Sequence, residues 1–414
     1  MKCRHCAQEL TLPLVDLGSA PPSNAYLNVD NLDKPEKWYP LRVMVCTDCG
    51  LVQTEDYAHF AELFAEDYAY FSSFSSSWLA HAERYVSDMS DRFALNQDSM
   101  VVEVAANDGY LLQYVKARNI PCLGVEPTAS TAQAARDKGI DVVEEFFGVA
   151  LANDLVARGY SADLTAANNV LAHVPDINDF VAGFAALLKP QGVATFEFPH
   201  LMELMKHTQF DTIYHEHFSY LSLTAVHRIF AANGLTVFDV ETLPTHGGSL
   251  RVYAQRADVG AHELNARVAQ MLTTEEALGM SSHEFYLDFQ GRTNRIKNDL
   301  MAFLIEAQRT GKTVAAYGAA AKGNTLMNYA GVRSDLIEFV VDKNPAKQNK
   351  YMPGSRIPIV AESYLHEKKP DYVVILPWNL KQEVMAQLAY IGAWDGQFVV
   401  AVPELTVTAV GTIS

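Results

Sequence analysis

The sequence predicts an α/β protein built on a doubly wound parallel sheet, with a small domain before it and a second α/β unit after it. Three observations lead there. Four of the five cysteines fall in two close pairs, Cys3/Cys6 and Cys46/Cys49. From Ser99 to Phe198, short apolar runs alternate with amphipathic stretches. A strand–turn–helix pattern returns at Thr313. A length of 414 residues suits two to three domains of roughly 150 residues each, and the pattern divides them at 1–70, 71–260 and 261–414.

Composition narrows the function. With 49% hydrophobic and 20% charged residues, each domain can bury a core. The net charge of −17 argues against a general nucleic-acid partner, which needs a basic surface. No apolar run is long enough for a membrane span, and MKCRHCAQEL lacks the apolar core of a signal peptide. The expectation is a soluble, cytoplasmic protein with neither nucleic acid nor membrane as partner.

The cysteine pairs come first. A two-residue spacer lets a tight turn aim two thiolates at one ion, and two such turns complete a tetrahedral zinc site. Cys3, Cys6, Cys46 and Cys49 are therefore candidate ligands of a structural zinc, since four thiolates leave no open position for catalysis. Disulfides are the alternative, and a cytoplasmic setting disfavours them. Pro21-Pro22 bars a helix between the pairs, which read as joined by extended segments. Cys122, in an apolar run, reads as a buried hydrophobe.

A helix is expected within 72–98, after a serine-rich entry. Strands follow at Met100–Ala105, Cys122–Val125, Asp141–Val143, Asp163–Asn168 and Gly192–Phe198. Helices lie between them at Tyr110–Arg118, Ser130–Lys138 and Ile177–Leu188. Ligands of such a sheet bind at the carboxyl ends of its strands. There, the run from Val101 to Gly109 carries Glu103 near the strand end and the small turn formers Ala105, Asn107 and Gly109. It lacks G-x-G-x-x-G and resembles motif I of class I S-adenosylmethionine methyltransferases. At the next strand end, Glu126 is placed to accept both hydroxyls of a ribose. Asn168 ends the fourth strand, and His173 follows at the mouth of the sheet. The bland alternative is an unspecialised βαβ unit.

The segment Asp211–Tyr220 packs Tyr214, His215, Glu216, His217 and Tyr220 into one short stretch, too polar for a core element. Imidazole titrates near neutrality and can remove a proton, Glu can orient it, and Tyr can donate to an oxyanion. The rival is metal binding by H-x-H, which neither an H-E-x-x-H helix nor a second carboxylate cluster supports.

In the last third, a helical stretch from Leu264 to Gln308 leads into the strand and turn of Thr313–Thr325, where backbone N–H groups near Lys322 and Asn324 could meet a phosphate. Lys322 precedes Gly323, so this is not a Walker motif. Asp342 ends the next strand, Ile337–Val341, where an NAD ribose acid would sit, and an NAD site or a plain scaffold remain alternatives. Further strands are read at Tyr372–Leu376 and Phe398–Val402.

The ordered segments (two C-x2-C pairs, EVAANDGYLL, NNVLAHVPD, EFPHL, YHEHFSY, HGGSLR) resemble the sugar C-methyltransferase family over nearly the whole chain. Ala106 departs from it, where relatives often carry Ser. The resemblance implies a zinc-binding domain, a central class I methyltransferase sheet and a C-terminal Rossmann-like domain holding the substrate's nucleotide. It implies S-adenosylmethionine as cofactor and C-3 methylation of a nucleotide-linked 4-keto-deoxysugar in branched deoxysugar biosynthesis. His217 would be the base, with Tyr214 and Glu216 beside it and His173 near the sugar. A tyrosine at the domain join, Tyr68 ahead of Tyr70, would reach the sugar. His246 and Arg251 lie in a matching segment of open role, and Arg251 and Lys322 are the cations of interest for an anionic nucleotide. Methylation of oxygen or another carbon, or a non-catalytic nucleotide-binding protein, remain alternatives.

Overall fold

Apolar residues at alternate positions make the N-terminal segment strand-forming, and the cysteine turns set where it folds back. The computed structural model describes residues 1–57 and 71–411; Tyr68 and Tyr70 lie outside them. Strands β1 (Leu12–Ala20), β2 (Tyr39–Val45) and β3 (Val52–Thr54) form an antiparallel sheet. Its fourth strand, β9 (Ser219–Tyr220), comes from the histidine-rich segment and pairs antiparallel with β3.

After helix α1 (Ser76–Arg92), the central alternation runs β4 (Val101–Val104), α2 (Leu112–Ala117), β5 (Cys122–Val125), α3 (Ala129–Asp137), β6 (Val142–Val143), α4 (Val149–Ala157), β7 (Ala162–Asn168), α5 (Ile177–Leu187) and β8 (Leu188–Pro199). Helices α6 (Leu201–Lys206) and α7 (Leu223–Ala232) then lead to β10 (Leu235–Leu243) and β11 (Ser249–Arg256). The sheet order is β10-β11-β8-β7-β4-β5-β6, with β11 antiparallel to both its neighbours and the rest parallel. The β7–β4–β5 centre places three strand ends side by side where the order reverses.

Helix α8 (Ala266–Ala277) packs against the central sheet. Its buried Glu275 accepts from the Leu223 and Thr224 N–H groups and pairs with His200. Helices α9 (Glu284–Leu287) and α10 (Phe289–Arg309) lead to β12 (Val314–Tyr317), α11 (Ala321–Ala330), β13 (Val340–Val341), β14 (Ile359–Val360), α12 (Ser363–Lys368), β15 (Tyr372–Ile375), α13 (Lys381–Gln387), β16 (Gln397–Val400) and β17 (Thr406–Ala409). Their order is β14-β13-β12-β15-β16-β17, a second switch point between β12 and β15. No helix among the described residues is long and apolar enough to cross a membrane.

The three units share cores. Leu14, Val15 and Val43 of the first sheet pack in one cluster with Ile296, Leu300 and Val314 of the last unit. Cys3, Cys46 and Leu51 belong to a cluster with Phe180, Phe184 and Phe196 of the central one.

Candidate active site

The four N-terminal thiols converge. Cys3 Sγ lies 3.6 Å from Cys49 Sγ and Cys6 Sγ 3.5 Å from Cys46 Sγ, all four atoms falling within 4.8 Å of one another. A disulfide needs about 2.05 Å, whereas a zinc tetrahedron with Zn–S near 2.3 Å has S···S edges of about 3.8 Å. The donor set therefore fits zinc, and Gln53 donates to Cys3 Sγ at 3.2 Å as a thiolate's outer partner does. The histidine-rich segment forms no such group: among the described residues, these cysteines are the sole cluster of potential metal ligands.

A cavity of about 1150 Å³ runs from the carboxyl ends of β4, β5 and β7 to those of β12 and β15. At its first end, Glu126 accepts the N–H groups of Asn107 and Thr128, both at 2.9 Å. The β4 turn is thereby tied to the end of β5. Ala105 and Asn107 take φ of +59° and +50° in that turn, left-handed values that non-glycine residues adopt at a cost of order 1–3 kcal/mol where the surroundings hold them. Gly109 also has positive φ, and a Cβ there would meet Ile140 Cδ1 at 2.5 Å. Ala105, Asn107, Glu126 and Asn168 line the cavity, and the buried Asn168 Oδ1 has no partner among the described residues.

Glu103 and Gly109 do not line it. Glu103 shares its strand face with Val101, and burial raises its carboxyl well above the ordinary range, with Tyr110 opposing. Glu103 is wholly buried within its strand, and Gly109 serves the turn and its packing.

At the middle of the cavity, His217 Nδ1 lies 2.8 Å from the Thr212 carbonyl and Nε2 lies 2.7 Å from the Tyr214 hydroxyl. A carbonyl can only accept, so Nδ1 carries the hydrogen and Nε2 offers its lone pair. His173 packs edge-on against His217 with ring centroids 4.6 Å apart. Burial, then His173 and Lys322, hold the His217 pKa well below that of free imidazole, against the opposing Thr212 bond. Burial brings His173 to about 4, and burial with Lys322 brings His246 to about 4. These rings are neutral near pH 7.

Glu216 turns away from His217. Its carboxylate accepts from Asn24 at 3.1 Å, and burial raises it to about 7. It does not line the cavity, although its main chain bonds His173. Expected beside the base, its side chain is instead behind it.

Lys322, His246 and Arg251 also line the cavity, but Asn324 does not: it is buried and donates to the Ser23 carbonyl. Lys322 reaches Asn379 at 3.1 Å and lies over the Trp378 ring. Trp378 in turn donates to the buried Asp211, whose carboxyl burial raises to about 6 against the pull of Lys322. Arg251 is 3% exposed and committed to Glu197 at 2.8 Å and Glu241 at 3.3 Å, so its charge is already matched. Burial alone would raise Glu197, yet His81 and Arg251 bring it to about 2. His81, Glu197 and Trp78 escaped the sequence reading. The available signal was a carboxylate inside the apolar run Val193–Phe198, since buried acids need partners.

The comparisons follow this division. Matched family descriptions are "Putative zinc binding domain" over residues 3–64, "Methyltransferase domain" over 78–240 and "C-methyltransferase C-terminal domain" over 244–403. The C-methyltransferase NovU of Streptomyces niveus is 34% identical over 97% of this chain and 96% of its own. The chain belongs to the C-methyltransferase family. Among solved structures, the magnesium protoporphyrin IX methyltransferase of Synechocystis PCC 6803 with bound SAM is 14% identical, with a TM-score of 0.33, covering 44% of this chain and 82% of that one. The PH0226 protein of Pyrococcus horikoshii OT3 is 14% identical, with a TM-score of 0.37, covering 47% and 99%. This C-methyltransferase has a class I sheet, and its methyl donor is S-adenosylmethionine. The two-sided hold of Glu126 and the unpartnered Asn168 oxygen fit that molecule's polar groups.

Proposed function

We propose that this C-methyltransferase methylates C-3 of a nucleotide-linked 4-keto-deoxysugar through a base-generated enolate, within branched deoxysugar biosynthesis. The observation that carries the reading is His217: a neutral imidazole with Nδ1 fixed by Thr212 and its Nε2 lone pair facing a cavity that spans both sheets' strand ends. S-adenosylmethionine, when bound, supplies an electrophilic methyl group. Glu126 would hold its ribose, and Ala105, Asn107 and Asn168 would border the rest.

A C-4 ketone acidifies the C-3 proton. His217 Nε2 takes that proton, the C–H electron pair moves into the enolate, and the charge comes to rest on the ketone oxygen. Tyr214, released from Nε2 by the incoming substrate, then donates to that oxygen. His173 packs against the base and keeps its ring in place. The enolate carbon forms the new bond as the sulfur–methyl bond breaks, and this step asks the chain for alignment and exclusion of water. Lys322 offers the positive charge for the nucleotide's phosphates at the end of the cavity beside α11, and His246 borders the sugar. Four thiolate ligands leave the zinc no open position, which supports a structural role.

The test is ¹³C NMR of product made from ¹³C-methyl-labelled donor and a nucleoside-diphosphate 4-keto-6-deoxysugar. Label on C-3 is expected; an O–CH3 signal, or no transfer, overturns the reading. His217→Asn is expected to abolish transfer, and full activity would remove it as the base.

A further inference from the structure

The spacer residues of the first cysteine turn, Arg4 and His5, reach segments that flank the cavity. The Arg4 side chain is 4% exposed. Its Nη2 donates to the Thr54 carbonyl at 2.8 Å, its Nε to the Phe218 carbonyl at 3.3 Å, and its guanidinium lies over the Phe218 ring at 4.9 Å. Asp56 fixes the fork from outside at 2.9 and 2.6 Å. Thr54 passes the hold on: its hydroxyl donates to the His217 carbonyl at 3.1 Å and its N–H to the Phe218 carbonyl at 3.2 Å. The Phe218 N–H donates to Ala172, beside His173. His5 Nδ1 meets Asn178 at 2.8 Å, at the start of α5 just past the His173 turn.

We propose that Arg4 is a positioning residue: its guanidinium fixes the main chain carrying His217, which makes the first metal-binding turn part of the scaffold that aims the base. This rests on the reading of His217 given above. The thiolates fix the Arg4 backbone, Gln53 bridges the Arg4 N–H to Cys3 Sγ, and the planar fork carries that rigidity to the Phe218 carbonyl of the segment and to the Thr54 carbonyl of β3 that holds it. Lysine has three donors on one compact ammonium and lacks the planar fork that spans both carbonyls.

Arg4→Met and Arg4→Lys are made in the full-length, zinc-loaded chain. Hydrogen–deuterium exchange, zinc content and steady-state kinetics are then measured. In Arg4→Met, peptides covering 212–220 should exchange about tenfold faster or more, those covering β4 to β7 should match wild type, and zinc content should hold. The kcat should fall by about tenfold to a hundredfold with the KM for S-adenosylmethionine within about two-fold, because misplacement of the base leaves the donor site intact. Arg4→Lys should recover part of the kcat and carry the same measurements if Arg4→Met does not fold. Unchanged exchange at 212–220, exchange rising equally across the molecule, or wild-type kcat on an active control overturns the proposal. An inactive wild type would overturn the function proposed above instead, and the exchange result would still decide the role of Arg4.

Discussion

The Tyr214 hydroxyl donates to Nε2 of His217 across 2.7 Å, so the nitrogen that would abstract a proton is capped until substrate arrives. The contact joins two functions in one pair. Tyr214→Phe removes both the cap and an oxyanion donor, and kcat should fall by roughly 10²–10³-fold, the usual worth of one such donor. KM for the methyl donor should stay the same. Steady-state kinetics with both substrates varied checks this, and a kcat within about three-fold of wild type, far short of the roughly 100-fold that is the least one such donor is worth, would place the donor elsewhere.

The pH profile carries a sign. Transfer requires neutral His217, and its pKa lies well below that of free imidazole. Its protonation should therefore limit kcat/KM only well below about pH 6.5. Lys322→Met deletes a nearby cation that disfavours imidazolium, and should move that acid limb to higher pH. A limb near 7 that ignores Lys322 would instead report Glu216, whose carboxyl burial raises to about 7.

Glu126→Gln tests the donor site. The amide keeps one acceptor oxygen but loses the charge and the second backbone bond. Calorimetry should find S-adenosylmethionine binding weakened about tenfold to a hundredfold, the worth of one hydrogen bond to a charged group. At saturating donor, kcat should be restored to near the wild-type value.

Arg251→Met should strip Glu197 of a partner inside the core and cost about 3–5 kcal/mol, as breaking a buried pair does. Adding Glu197→Leu should return most of that stability. In the parent chain Glu197 sits near 2, below about 4.3 for a free glutamate. Its contribution is thus complete above the unfolded value and is lost as acid takes the pH from there toward 2. Urea unfolding of the three chains at pH 7 and pH 3.5 measures both effects, and a single variant as stable as the parent would contradict them.

The fold was legible where periodicity was local. Strand β5 falls on the expected Cys122–Val125, and α5 ends one residue early. What escaped depended on partners far along the chain. Helix α4 and the β10–β11 hairpin drew no reading, and β9 is too short to signal itself. Its strand character exists only because β3 lies beside it. The site divides in the same way. His217, Tyr214 and His173 stand out by composition and come together at one cavity wall. Arg251 advertised a free charge, and its commitment to Glu197 spans residues 54 apart in sequence. Glu216 adjoins the base in sequence, yet its carboxylate points to Asn24.

The shared strand also sets an order of events during synthesis. The hydroxyl of Thr54 meets His217 across 163 residues of chain, so the first sheet waits for its last strand. At 5–20 residues per second, a ribosome needs on the order of ten to thirty seconds to cover that interval. Until then the exposed edge of β3 is open to pairing with other nascent chains. The metal-binding turns, complete by Cys49, and the β1–β2–β3 pairings can close early, and zinc held at those turns would keep three strands in register while the fourth is still being made.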